Sequence, residues 1–277
     1  GWSELDSICG GGLGNGELGV VVAPTGAGKS MVLTHLGAQA LLRGVNVVHY
    51  TLELSDTTIA SRYDSCITGV SLNDLFSFKE LIYEKVQEVK GQLIVKEYPT
   101  KSASTRTIKN HLEKLVNRGV EPGLIILDYG DLLRPVISRK EKRTELESIY
   151  EEMRAVAQEF QCPVWTASQT NRSGLNAEVI TMESISEAFS KCFVADLIFT
   201  VSRTMEDKTS NTGRMYVAKN RNGPDGLVYP LFMDTSNVKI RVLPPSDDEE
   251  DELTSKSQSD ILKEKYKKFR SQQRESA

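Results

Sequence analysis

Two hydrophobic patterns alternate along most of the chain: short unbroken apolar runs, and longer stretches in which apolar residues recur every three or four positions. The runs at 18–22, 45–52, 93–96, 124–128 and 164–169 end in polar or turn-forming residues and predict buried strands. Helical spacing fills the intervals. It covers 29–42, stopped by Arg43 and Gly44, and 55–68, opened by Ser55 as a cap. Ser71-Leu72-Asn73-Asp74 resembles a capping box and predicts a helix, or pair of helices, reaching Lys90 and Gly91. Residues 104–118 carry Ile108, Leu112, Leu115 and Val116 at helical spacing, and a charged interruption at 134–143 precedes another helix at 145–160. Segments at 196–201, 215–219, 228–232 and 238–242, broken by Asn222-Gly223-Pro224-Asp225-Gly226, read as hairpins. Strands alternating with helices predict an α/β fold. Its central sheet would be mostly parallel, with helices on both faces and antiparallel strands at one edge. The glycine-rich residues 1–17 predict a flexible lead-in, and the polar stretch 170–181 a mobile loop.

The first strand and first long helix are joined by Ala23-Pro24-Thr25-Gly26-Ala27-Gly28-Lys29-Ser30. A tight turn between strand and helix points successive backbone N–H groups at a phosphate, and the positive end of the helix attracts the same charge. Pro24 to Ser30 would form this cradle, with Lys29 reaching the β- and γ-phosphates and the Ser30 hydroxyl on Mg²⁺. Ala23 stands where the commonest phosphate-loop pattern has its first glycine. Hydrolysis also needs a carboxylate to hold the metal, a base for the attacking water and a sensor of the γ-phosphate. In an open α/β sheet these belong at the carboxyl ends of strands, where three polar exits stand out: Glu53, Asp128 and Gln169. Asp128 after an apolar run suits the Mg²⁺ carboxylate, Glu53 the base, and Gln169 the sensor.

Composition adds few constraints. At 277 residues, with 39% hydrophobic and 26% charged positions, the chain can bury a large core as one big domain or two small ones. No apolar run is long enough to span a bilayer, and Gly1-Trp2-Ser3-Glu4 carries no signal-like core, so a cytoplasmic protein without membrane contact is expected. Cys9, Cys66, Cys162 and Cys192 are scattered and read as reduced, mostly buried thiols; His35, His49 and His111 are isolated and read as structural. The net charge of −4 argues weakly against nucleic acid but leaves room for a basic path inside a ring. Beyond residue 243 the pattern changes. Pro244-Pro245 is followed by six acids at 247–252 and a basic stretch at 259–274, which reads as a flexible tail, 244–277, behind a folded unit, 1–243.

Several motifs in order resemble those of the DnaB-type replicative helicases, whose motor has the RecA-like P-loop NTPase fold: Trp2-Ser3-Glu4-Leu5-Asp6, the phosphate loop, Thr51-Leu52-Glu53-Leu54, Ile126-Leu127-Asp128-Tyr129, Ala167-Ser168-Gln169-Thr170-Asn171-Arg172 and Lys219-Asn220-Arg221-Asn222-Gly223-Pro224. Residues 93–100 and 164–167 look most like the version in T4-like bacteriophages, which would place the protein in the host cytoplasm. The resemblance implies a hexameric ring that uses ATP and Mg²⁺ to move 5′ to 3′ along single-stranded DNA, with primase or other replication proteins as further partners. By it, Glu53 is the catalytic base, Asp128 the Mg²⁺ carboxylate and Gln169 the coupling residue. Lys219 and Arg221 would reach a neighbour's γ-phosphate, and DNA-facing loops would offer Arg134, Arg139, Lys140, Lys142, Arg143, Arg172 and Lys191. A RecA-fold recombination mediator or regulatory ATPase, and an ATP-stabilised scaffold recruiting replication proteins, are the alternatives.

Overall fold

The computed structural model describes residues 2–138, 141–170, 179–180 and 192–244. Residues Gly1–Leu243 form one compact unit; the second, Pro244–Ala277, lies almost wholly outside the described residues, as does most of the stretch read as a mobile loop. The elements are α1 (Ser3–Ile8), β1 (Leu18–Ala23), α2 (Lys29–Leu42), β2 (Val47–Thr51), α3 (Asp56–Thr68), α4 (Lys79–Gln87), β3 (Leu93–Glu97), α5 (Thr105–Val116), β4 (Leu124–Asp128), α6 (Lys142–Phe160), β5 (Val164–Gln169), β6 (Leu197–Ser202), α7 (Met205–Ser210), β7 (Thr212–Asn220), β8 (Val228–Asp234) and β9 (Lys239–Val242). They build one sheet in the order β3-β2-β4-β5-β1-β6-β7-β8-β9. From β3 through β6 the strands run parallel, and β7 to β9 close one edge antiparallel.

Alternation along β1 sorts the core into two layers. Val21 and Ala23 face Val32, Leu33, Ile59 and Tyr63 from α2 and α3, whereas Leu18, Val20 and Val22 pack with Ile108, Leu112, Ile149 and Met153 from α5 and α6. The α5 helix starts where the sequence places it, on a capping box in which Ser104 accepts from the Thr107 N–H.

Three sequence expectations are corrected, and one element is added. The lead-in is not loose throughout: Trp2, 5% exposed, stacks on His35 at 5.5 Å and donates from Nε1 to the Ile240 carbonyl at 3.0 Å, which seats α1. Ser71 opens a turn, with the Asp74 N–H bonded to its carbonyl, and a 3₁₀ turn over Leu75–Phe78 intervenes before α4. The segment from 196, read as part of a terminal hairpin, is β6 and lies parallel to β1. Finally α7, a six-residue helix with a Thr204–Asp207 capping box, sits between β6 and β7, too short to leave a helical period in the sequence.

Candidate nucleotide-binding site

The loop from Pro24 to Gly28 folds as a cradle because two glycines take backbone conformations closed to most residues. Gly26 has φ +74° and Gly28 φ +99°, and a Cβ on Gly28 would stand 2.2 Å from Met233 Cε. Gly28 is also the cap of α2, and among the described residues no side chain caps the helix, which leaves its first-turn N–H groups for an anion. Lys29 lies along the loop, its Nζ 3.5 Å from the Pro24 carbonyl and 5.7 Å from the centre of the Tyr129 ring. Burial pulls its pKa down, opposed by the charges of Glu53, Asp128 and Asp131.

Strand register brings the polar exits to the same end of the sheet. Ala23 pairs with Gln169 across β1 and β5, and Thr51 with Asp128 across β2 and β4, so Glu53 leaves β2 beside the Asp128 exit. Gln169 donates from Nε2 to Thr25 Oγ1 and so touches the cradle directly. Asp128 is fully buried. Burial, helped by the charge of Glu53, raises its carboxyl to about 6 against the Ser30 hydroxyl facing it and the charges of Arg62 and Lys29, which pull the other way. Neither carboxylate oxygen is completed by a regular hydrogen bond among the described residues. Two buried oxygens left open beside the Ser30 hydroxyl are what a hard, oxygen-seeking cation requires, so Asp128 and Ser30 could hold Mg²⁺.

Arg62 is a neighbour of this site that sequence reading missed. Its Nη1 is buried without a partner, and Asp128 and Glu53 both support its charge. The signal was present: Arg62 lies within the inward face of α3 between Ile59, Tyr63 and Cys66, and a cation at apolar spacing needs a reason.

Lys219 and Arg221 stand elsewhere. Asn220 pairs with Leu197, and Leu197 with Gly19, so both cations lie where β1 begins, while the cradle lies where it ends. Arg221 Nη1 is 2.7 Å from Asp196 Oδ1, and Arg154 Nη2 is 2.9 Å from the same oxygen; Asp196 Oδ2 accepts from the Leu18 N–H at 3.0 Å. Lys219 Nζ lies 4.7 Å from the centre of the Phe193 ring. Arg134 and Lys142 are exposed, whereas Arg139, Lys140, Arg172 and Lys191 lie outside the described residues. Cys9, Cys162 and Cys192 are buried and Cys66 partly so, all four as free thiols. Among the described residues no cluster of His, Cys, Asp and Glu could ligate a metal by itself, and no helix is long and apolar enough to cross a membrane.

Comparison with known proteins agrees with this geometry. An ATPase domain superposes with TM-score 0.74 at 16% identity, covering 88% of this chain and 90% of that one. A DnaB-like replicative helicase, solved in a study that includes its interactions with primase, superposes with TM-score 0.75 at 16% identity, over 88% of this chain and 61% of that one. The fold is therefore RecA-like. The DnaB-like replicative helicase of Enterobacteria phage T4 is 32% identical over 214 residues, 73% of this chain and 45% of its own length. The replicative DNA helicase DnaB of Helicobacter pylori is 26% identical over 178 residues, 62% of this chain and 36% of its own length. The chain thus spans less than half the length of these two relatives. The DnaB-like helicase C-terminal domain family matches residues 1–238, and the chain belongs to that family.

Proposed function

We propose that residues 1–243 are the motor of an ATP-dependent replicative DNA helicase that moves 5′ to 3′ on single-stranded DNA as a hexameric ring, with residues 244–277 as a separate tail and primase among its partners. The observation that carries the reading is the division of charged groups between the two ends of one sheet. At one end Lys29, Ser30, Glu53, Asp128 and Gln169 surround a phosphate cradle; at the other end stand Lys219 and Arg221. Five residue steps along β6 separate those ends by roughly 17 Å, so these cations do not serve their own cradle. A neighbouring copy can receive them.

Each residue then has a task. Backbone N–H groups of the cradle and Lys29 Nζ hold the β- and γ-phosphates, and Ser30 with Asp128 holds Mg²⁺. The metal supplies charge neutralisation between the phosphates. Glu53, exposed at the strand exit, takes the proton of the attacking water. Gln169, already bonded to Thr25, carries a change at the γ-phosphate into the segment beyond Thr170. Lys219 and Arg221 stabilise transition-state charge in trans, an effect worth about 10³–10⁵ in rate for such cations. Arg134, Arg139, Lys140, Arg172 and Lys191 are the cations proposed to bind single-stranded DNA.

Mixing two inactive variants tests this. Lys29→Ala supplies Arg221 but has no working cradle, and Arg221→Ala has the reverse. With particle mass confirming mixed assemblies, DNA-stimulated turnover should return in the mixture well above either variant alone. No recovery in mixed particles, or turnover that survives Lys29→Ala, would refute the shared site.

A further inference from the structure

Asp196 immediately precedes β6, at the end of the sheet opposite the cradle, and its side chain is 2% exposed. A carboxylate so placed has to be compensated inside the fold. Arg154 of α6 does this with a two-point fork, its Nε 3.1 Å from Oδ2 and its Nη2 2.9 Å from Oδ1. The Leu18 N–H donates to Oδ2 at 3.0 Å. Both oxygens are thus met before Arg221 is counted. Arg221 adds one further contact, its Nη1 2.7 Å from Oδ1, and its departure leaves the acid closed.

The two arginines differ in how they are held. The Arg154 side chain is 28% exposed and that of Arg221 46%. Behind Arg221 the backbone is tied on three sides. The Arg221 N–H bonds the Asp196 carbonyl at 2.9 Å, and Asn222 Nδ2 donates to Glu17 Oε1 at 2.9 Å. Asn220 Nδ2 donates to the carbonyls of Ile8 at 2.8 Å and Pro224 at 3.1 Å. A Cβ on Gly223 would stand 2.1 Å from the Ile8 carbonyl oxygen, so the turn packs directly against the end of α1. The stem of Arg221 is fixed, and only its half-exposed guanidinium can turn.

We infer that Arg154 is a positioning residue for hydrolysis in trans. Asp196 parks the Arg221 guanidinium while the neighbouring cradle is empty, and the Arg154 fork keeps that acid compensated when Arg221 swings out to the neighbour's γ-phosphate. The inference rests on the shared-site reading and adds the control of its cation. A phosphate offers Arg221 two-point contact where Asp196 offers one, so the exchange favours the phosphate as long as Arg154 shares the acid. Without Arg154 the buried carboxylate keeps a single guanidinium, and releasing it would strand the charge. Arg221 then stays parked.

The experiment is steady-state ATP hydrolysis by the full chain, in assemblies of confirmed particle mass saturated with oligo-dT. In Arg154→Ala, kcat should fall by about tenfold or more while KM for ATP stays within about twofold, because the cradle itself is untouched. Arg154→Lys, which restores the charge without the fork, should recover part. Adding Asp196→Asn to Arg154→Ala removes the parking acid, and kcat should rise again by about threefold or more. A purely structural role for Arg154 requires a further fall. Mixed assemblies give a second arm that needs no change at Asp196. Arg154→Ala should complement Lys29→Ala, whose Arg221 is free to leave, and should fail to complement Arg221→Ala, because in that pair no subunit supplies a released cation. Parental kcat in Arg154→Ala, recovery in its mixture with Arg221→Ala, or no rise on adding Asp196→Asn would overturn the inference. Arg221→Ala alone separates the two claims. Parental turnover there refutes the shared site itself, whereas loss there beside a parental Arg154→Ala refutes only the parking of its cation.

Discussion

Replacing Asp128 by Asn should make the nucleotide-free protein more stable while abolishing its turnover. The carboxyl is fully buried, and burial raises its pKa from 3.8 to about 6 in the fold. A carboxylate whose folded pKa lies above its unfolded one disfavours folding once ionised. The sign is therefore fixed: the neutral acid is harmless below about pH 4, stability is lost as pH rises from about 4 through about 6, and the deficit is constant above that. A rise from 3.8 to about 6, at about 1.4 kcal/mol for each tenfold change, corresponds to about 3 kcal/mol. Asn occupies the same space without the charge and should recover most of it. For a folded unit of this size, roughly 2–4 °C per kcal/mol puts the melting temperature on the order of 5–10 °C above the parent at pH 8. Thermal unfolding by circular dichroism between pH 4 and pH 9, in chelator and without nucleotide, checks this. The two proteins should melt together near pH 4 and diverge through pH 6. Adding Mg²⁺ and nucleotide should then stabilise the parent more than the variant, since only the parent keeps the metal carboxylate. Equal melting curves at pH 8, or a difference that ignores pH, would refute the claim that this acid is held ionised against its surroundings.

Other substitutions follow from single contacts. Trp2→Ala removes a stacked, hydrogen-bonded ring and should cost about 3–5 kcal/mol, seen as a drop in melting temperature on the order of 10 °C in the same assay. Gly28→Ala forces a Cβ into a left-handed position beside Met233. It should lose about 1–2 kcal/mol of stability and weaken binding of a fluorescent ATP analogue more than tenfold, because the backbone can no longer close on the phosphate. Asp196→Ala strips Arg154 and Arg221 of a partner that is 2% exposed and should destabilise by about 3 kcal/mol, read as a shifted urea midpoint.

Most of the parallel sheet was legible because a strand covered on both faces is an apolar run, and a P-loop needs its glycines in order. The placement of Glu53, Asp128 and Gln169 at one end of the sheet was legible for a related reason: a polar residue ending such a run is conspicuous. Failures arose where long-range contacts set the structure. Nothing near Trp2 tells that Ile240, 238 positions away, supplies a carbonyl for its indole. Ser71 has the residues of a capping box, yet its turn is held by the Ser236 carbonyl accepting from the Leu72 N–H. The direction of β6 depends on pairing with β1, which its own residues do not encode. Asp196 joins Arg154 of α6 to Arg221 beyond β7, and no local pattern unites them.

Arg62 and Asp128 join these observations. Two other shielded acids are closed by partners: Asp196 is shared by two arginines, and Asp207 accepts from Thr204, Thr212 and Arg214. Around the cradle this is not so. Arg62 and Asp128 are near enough for each to support the other's charge, yet Arg62 Nη1 and both Asp128 oxygens have no hydrogen-bond partner among the described residues. Direct pairing would relieve a penalty of about 1–3 kcal/mol for each unmet group. A fold shaped only for stability would bring the two together. Leaving a carboxylate and a guanidinium unpaired beside a phosphate cradle keeps room for a cation against one and an oxyanion against the other. It also explains why the Asp128→Asn protein should stand firmer than its parent and do no work.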